Sequence, residues 1–132
     1  MAEAGDIHGT ALKNGSATLL ARIVGADAAP IVRADIDSIH YSVYLLDEDN
    51  ADARTVVTGH DEVELAVAEV VFDALQTDAL WNVDAEGYDF RHVLDVSANP
   101  AFAIAGRRYL VEHRLTPVTG QVILARFRIH VI

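Results

Sequence analysis

The chain has 132 residues and a mass of 14.3 kDa, enough for one hydrophobic core and too little for two domains of ordinary size. It contains no cysteine, which excludes a disulfide framework and any thiolate metal or nucleophile chemistry. A formal charge of −10, a pI near 4.8 and Lys13 as the sole lysine argue against a basic patch that grips phosphate backbones, and so against direct nucleic-acid binding.

Residues 1–15 carry Gly5, Gly9 and Gly15 without periodicity and read as a flexible N-terminal arm, ahead of a single β-sandwich domain over 16–132. This polar start lacks the basic region and apolar run of a signal peptide, and no later segment is apolar enough to span a membrane, so a soluble, unexported chain is expected. SATLLARIV, 16–24, is a strand-length apolar run rich enough to be buried on both faces, and GADAAP, 25–30, is a turn. In DIDSIHYSVYLLDED the residues Ile39, Tyr41, Val43 and Leu45 share one parity, while Ser38, His40, Ser42 and Tyr44 share the other. That is a half-buried strand, and it ends in the acidic loop DEDNADA, 47–53.

TVVTGHDEVELAV, 55–67, reads as two short strands around a turn at Gly59. Val67, Val71, Ala74 and Leu75 then fall at helical spacing, which predicts a short helical turn near 68–76. FRHVLDV, 90–96, returns to alternation, and SANPAFAIAG, 97–106, is a connection punctuated by Pro100 and Gly106. RRYLVEHRL and QVILARFRIHVI flank TPVTG, whose Pro117 and Gly120 supply turn chemistry for a β-hairpin. In the last strand Ile123, Ala125, Phe127, Ile129 and Val131 face one side, and Arg126, Arg128 and His130 the other. About seven short strands with short links predict an all-β, antiparallel sandwich.

Chemistry is hard to find in this pattern. Asp47, Asp49, Asn50 and Asp52 offer oxygen ligands for a hard cation, but Ala51 and Asp52 occupy the fifth and sixth positions of the loop, where the EF-hand pattern needs an oxygen donor and a glycine. His92 shares parity with Phe90 and Leu94, and His113 with Tyr109 and Val111, so on neighbouring strands both imidazoles could share a face. A zinc site needs a third ligand, and none stands out. His60, followed by Asp61 and Glu62, fits a turn. No G-x-S-x-G, G-x-x-x-x-G-K or G-x-G-x-x-G occurs. No cofactor or metal is expected.

WNVDAEGYDFRH, 81–92, crowds the only tryptophan, three carboxylates and two further aromatics into twelve positions. Asp84, Glu86 and Gly87 suit a turn, Gly87 because it takes a positive φ without penalty. The stretch reads as a structural corner at Gly87 whose aromatics cover the end of the sandwich, with a ligand-binding loop as the other reading. Trp81, Tyr88, Tyr44 and His40 are the candidate interaction surface.

The spacing of Gly106, Tyr109 and Val111 in GRRYLVEHRL, the TPVTG link and the long last strand resemble the end of an immunoglobulin-like domain. With SIHYSVYLLDED, VVFDALQTDALW and GYDFRH, the layout over 16–132 is similar to small immunoglobulin-like β-sandwich proteins encoded among bacteriophage and prophage structural genes. The resemblance implies a decoration, tail or adaptor module rather than an enzyme. Tyr109 is the candidate for a tyrosine corner. The chain departs from the antibody pattern in lacking the cysteine pair, in placing Trp81 too late, and in breaking the D-x-G-x-Y spacing at 84–88.

The expected function is a non-catalytic structural or interaction module that assembles with protein partners, itself or other virion proteins. It would be made in the bacterial cytoplasm and located in a virion or phage-like particle, without contact to nucleic acid or membrane. An alternative is an acidic DNA-mimic inhibitor of a nucleic-acid enzyme, presenting DEDNAD, HDEVE and DAEGYD as carboxylate rows. A metal-dependent binder or enzyme using His92 and His113 is a third.

Overall fold

The computed structural model describes residues 7–25, 28–50 and 53–132. In chain order the elements are β1 (Ile7–Ala11), β2 (Thr18–Ala21), a 3-10 turn (Arg33–Asp35), β3 (Ile36–Leu46), β4 (Arg54–Val56), β5 (Val63–Leu65), a single helical turn α1 (Val67–Val70), β6 (Val71–Gln76), β7 (Tyr88–Val93), β8 (Arg108–Pro117) and β9 (Ile123–Val131). No helix among the described residues is long and apolar enough to cross a membrane.

Three differences from the sequence reading have physical causes. Ile7–Ala11, inside the stretch read as an arm, pairs in parallel with β9, Ile7 opposite Phe127 and Ala11 opposite Val131. Only Ala11 of this strand is buried, so backbone pairing holds it and there is no hydrophobic pattern to detect. The first six residues of that arm lie outside the described residues. β2 buries Leu19 and Ala21 but not Thr18, since the outer side of its sheet faces water and only one parity meets the core. The helical spacing around Val67 reflects one turn only, because the backbone becomes extended at Val71 and continues as β6.

The strands form two sheets. The larger has the order β1-β9-β8-β3-β4, with β5 also paired to β3, and the smaller is β2-β7-β6. All pairings are antiparallel except β1 with β9. With β3, β8 and β9 in one sheet and β2, β7 and β6 in the other, this is the connectivity of an immunoglobulin-like sandwich.

Alternation along the three long strands fills the space between the sheets. Ile39, Tyr41 and Val43 of β3, Val111, His113 and Leu115 of β8, and Phe127 and Ile129 of β9 meet Leu19, Ala21, Val71, Phe90 and His92 from the smaller sheet. Ala101 and Phe102, both fully buried, close one end from the connection before β8. Full burial of a side chain such as Phe102 contributes about 2–3 kcal/mol. The buried polar side chains among the described residues are Ser42, Asp89 and three histidines, His60, His92 and His113.

Candidate functional site

The corner at 81–92 is organised by Asp84. Its Oδ1 accepts the Trp81 Nε1–H at 3.0 Å and the backbone N–H groups of Glu86 at 3.0 Å and Gly87 at 3.2 Å, while Oδ2 takes the Arg22 guanidinium at 2.8 Å. The Trp81 hydrogen bond, then that of Arg22, hold the Asp84 carboxyl well below the usual carboxylate range. Gly87 has φ +102°, and a Cβ there would meet the Gln76 carbonyl oxygen at 2.3 Å. Only glycine fits.

Tyr88 needs a correction. Expected as part of an interaction surface, it is fully buried, its ring set against Phe72 and Trp81 and its hydroxyl donating to Asp78 Oδ2 at 2.7 Å. It lies outside the core cluster between the sheets and is covered instead by its neighbours Phe72 and Trp81, which keep it from any partner. Trp81 is half-buried with its N–H already engaged. At the other corner, before β8, the Tyr109 hydroxyl accepts the Ile104 N–H at 3.1 Å and its ring meets Phe102 edge-on. A tyrosine early in this strand, bonded to backbone just upstream, is the tyrosine-corner arrangement.

Between the sheets His60, His92 and His113 gather around Tyr41. His92 and His113 come from opposite sheets rather than one face, and meet across the core with Nδ1 of His92 2.9 Å from Nε2 of His113. His60 Nε2 lies 2.8 Å from the Asn99 carbonyl oxygen, which can only accept, so Nε2 carries the proton. Nδ1 is therefore the acceptor for the Tyr41 O–H at 2.7 Å. The Tyr41 ring lies 4.8 Å from that of His92.

Burial keeps His92 and His113 uncharged. It pushes His92 down to about 4, with proximity to His60 as the lesser cause. His113 is lowered well below the imidazole range, first by burial and then by charge on His92, with the Ala125 backbone acting the other way. Burial, then Asp95, raises the Tyr41 phenol. A cleft of about 480 Å³ opens onto Tyr41, His60 and His92, with Glu69, Arg91 and Asp95 at its rim.

What this arrangement can do chemically follows from its partners. Among the described residues no carboxylate is hydrogen-bonded to the three imidazoles, no serine or threonine hydroxyl meets them, and no three metal-ligating side chains converge. A nucleophile activated by a base, or a metal held by three ligands, needs one of those contacts.

Outside the larger sheet the opposite parity carries Tyr44 and His40. Tyr44 is half-buried, with the Arg54 guanidinium 4.1 Å from its ring centre, within cation–π range. His40 stands between Glu64 of β5 and Arg114 of β8. Around them the register lines up Arg108, Arg114, Arg126 and Arg128. Glu112 faces Arg126 at 3.6 Å and Arg54 at 3.9 Å, and Arg114 pairs with Glu62 at 2.5 Å. Leu110 is buried although it lies outside the core cluster, opposite Tyr44 of β3 and Arg128 of β9.

No known protein family, curated protein or solved structure matches the chain.

The acidic loop spends its carboxylates locally: Asp47 Oδ1 accepts the N–H groups of Asp49 and Asn50, and Glu48 pairs with Arg107 at 2.9 Å. Ala51 and Asp52, on which the cation reading turned, lie outside the described residues. Two groupings escaped the sequence reading. His60 looked like a turn residue because Gly59, Asp61 and Glu62 flank it, yet its partners Tyr41 and Asn99 are 19 and 39 residues away. The arginine face needed the strand order, since its members come from three different strands.

Proposed function

We propose that the chain is a non-catalytic interaction module that assembles with protein partners, in a phage particle or phage-like assembly. One observation supports this most: in a chain of net charge −10, five of nine arginines project from the outer face of one sheet. Charge sorted in this way steers encounter and fixes the orientation of one protein on another. Tyr44 and the arginine stems add contact area of the kind found at interface centres. The phage setting rests on the sequence resemblance.

Sedimentation velocity over a wide concentration range, at low and high salt, combined with mass spectrometry of purified phage or phage-like particles, tests the reading. Self-association, or presence in particles at a fixed stoichiometry, is the expected result. A chain that stays monomeric throughout and is absent from particles would overturn it. Co-purification with a nuclease or repair enzyme, lost at moderate salt, would instead favour the DNA-mimic alternative.

A further inference from the structure

The geometry points to the cleft over Tyr41 and His92 as a binding site for a primary ammonium group carried on a short alkyl chain. This goes beyond the interaction-module reading and stands or falls apart from it. The opening has a cause in the fold. β6 pairs with β7 as far as Val71 opposite Phe90 and no further, because the chain before Val71 is the helical turn α1. Past Phe90 the β7 residues Arg91, His92 and Val93 therefore line a space of about 480 Å³, with Val63 and Leu65 of β5 also in its wall. Sites for small molecules span about 300–1,000 Å³.

The floor of the cleft offers acceptors. His92 is 5% exposed, and its Nδ1 is committed to His113 Nε2 at 2.9 Å. Its Nε2 has no hydrogen-bond partner among the described residues, yet solvent reaches it, and the cleft is the opening onto this ring. The tautomer follows from His113. Nδ1 of His113 makes no full hydrogen bond, but the neighbouring Ala125 backbone favours a proton on that ring. With Nε2 engaged by His92, the proton belongs on Nδ1. His113 Nε2 then accepts, His92 Nδ1 donates, and His92 Nε2 is left as an open lone pair. Tyr41, also 5% exposed, gives its O–H to His60 Nδ1 at 2.7 Å and keeps lone pairs on its oxygen.

Charge at the mouth selects the donor. Glu69 of α1 and Asp95 line the cleft, and every lysine and arginine of the chain lies among the described residues without an ion pair to either. Ser97 gives both its N–H and its O–H to Asp95 Oδ1, which favours the ionised carboxylate. Arg91, the one arginine in the lining, holds its guanidinium 5.2 Å from the ring centre of Phe72, a residue outside the lining. Val63, Leu65, Val70 and Val93 supply apolar wall. A primary ammonium brings three donors and no acceptor. It suits neutral acceptors below and carboxylates above, and its alkyl chain suits the wall between. A carboxylate or phosphate would meet lone pairs and like charge, and a quaternary ammonium has no N–H to give. A metal ion lacks three converging ligands among the described residues.

Titration of the full chain with n-butylammonium at neutral pH, followed by NMR of the amide and imidazole nitrogens, tests this. Tetramethylammonium, butyrate and n-butanol are the comparisons. The expected result is saturable binding of n-butylammonium that moves the His92 Nε2 signal and the amides lining the cleft. Tetramethylammonium and butyrate should do neither, and n-butanol should bind at least about fivefold more weakly. Glu69→Gln with Asp95→Asn, at exposed positions and checked for an unchanged melting temperature, should weaken n-butylammonium binding at least about fivefold. Equal binding of any of the three comparison compounds, an unmoved His92 Nε2 signal, or indifference to the carboxylate variants would each overturn the proposal. The same ammonium chemistry is carried by free amines and by a lysine of another protein, and a lysine tripeptide blocked at both ends separates them. Binding at least about tenfold tighter than n-butylammonium names a partner's lysine as the occupant, and equal or weaker binding names a free amine; either supports the site. Self-association and presence in particles are read separately, so failure here leaves the interaction-module reading standing.

Discussion

Between the sheets, His60, His92 and His113 are held out of water by one another, by Tyr41 and by the Asn99 carbonyl, and burial keeps His92 and His113 uncharged at neutral pH. On the outer face of the larger sheet, Arg54, Arg108, Arg114, Arg126 and Arg128 keep their charge and reach toward solvent, with Glu62 and Glu112 as company. Both regions are rich in nitrogen donors, and both are built by the two-residue pleat of β3 and β8, one on each side. The inner group can add to stability through the bonds Tyr41–His60, His60–Asn99 and His92–His113, made where unmade ones are expensive, although His113 Nδ1 is buried without a partner. The outer group, whose ion pairs are screened by water, adds little to stability.

The largest expected effect separates the two regions directly. His113→Ala leaves a void between the sheets beside Phe90 and Phe127 and strips His92 of its partner. It should lower unfolding free energy by about 3 kcal/mol in urea titrations. A loss below about 1 kcal/mol would mean that the cluster is loosely held and the contrast is false.

Acid gives the next effect. The folded pKa of His92, about 4, lies below its ordinary 6.5, so the folded state prefers the neutral ring. That contribution is present above pH 6.5 and is lost as pH falls from 6.5 toward 4, amounting to about 3 kcal/mol once both pKa values are passed. His113 acts in the same direction. Denaturant titrations at pH 7 and 4.5 should show the loss, and His92→Phe should flatten it. Asp84, whose pKa is depressed, loses its contribution only below the carboxylate range, in a separate and lower window.

Tyr41→Phe should come third. It removes the O–H that His60 Nδ1 accepts, leaves a buried acceptor unpaired, and should cost about 1–2 kcal/mol by the same titration. Smallest of all, Arg108→Gln with Arg128→Gln should change stability by no more than about 0.5 kcal/mol while altering association. A larger loss of stability would assign the outer layer a structural role through Leu110 and sharpen the comparison differently.

The sandwich was legible wherever a strand was long enough to alternate. β3, β8 and β9 show their inner residues plainly, and Gly87 announced its corner because a positive φ has few other occupants. β1 left no trace, since a strand held by backbone pairing with four exposed residues carries no pattern. Asp84 could be seen as a turn residue, but not as the acceptor of Trp81 and Arg22, because Arg22 is 62 residues distant. His92 and His113 were singled out by parity, yet only the packing of the two sheets shows that they meet edge-on across the core. Arg126 and Arg128 were visible as an outward row, while the face they share with Arg54, Arg108 and Arg114 required the strand order.

The parallel pairing of β1 with β9 also decides how the molecule would answer a pull. Ile7 leads β1 into the pair and Val131 ends β9 at the other extreme, so tension applied through the two ends drags the strands past each other lengthwise. The slanted hydrogen bonds of a parallel ladder are then strained together in shear, rather than opened one after another like a zipper. A sandwich strung between neighbours by its ends would resist extension first at this seam, with the rest of the fold shielded behind it.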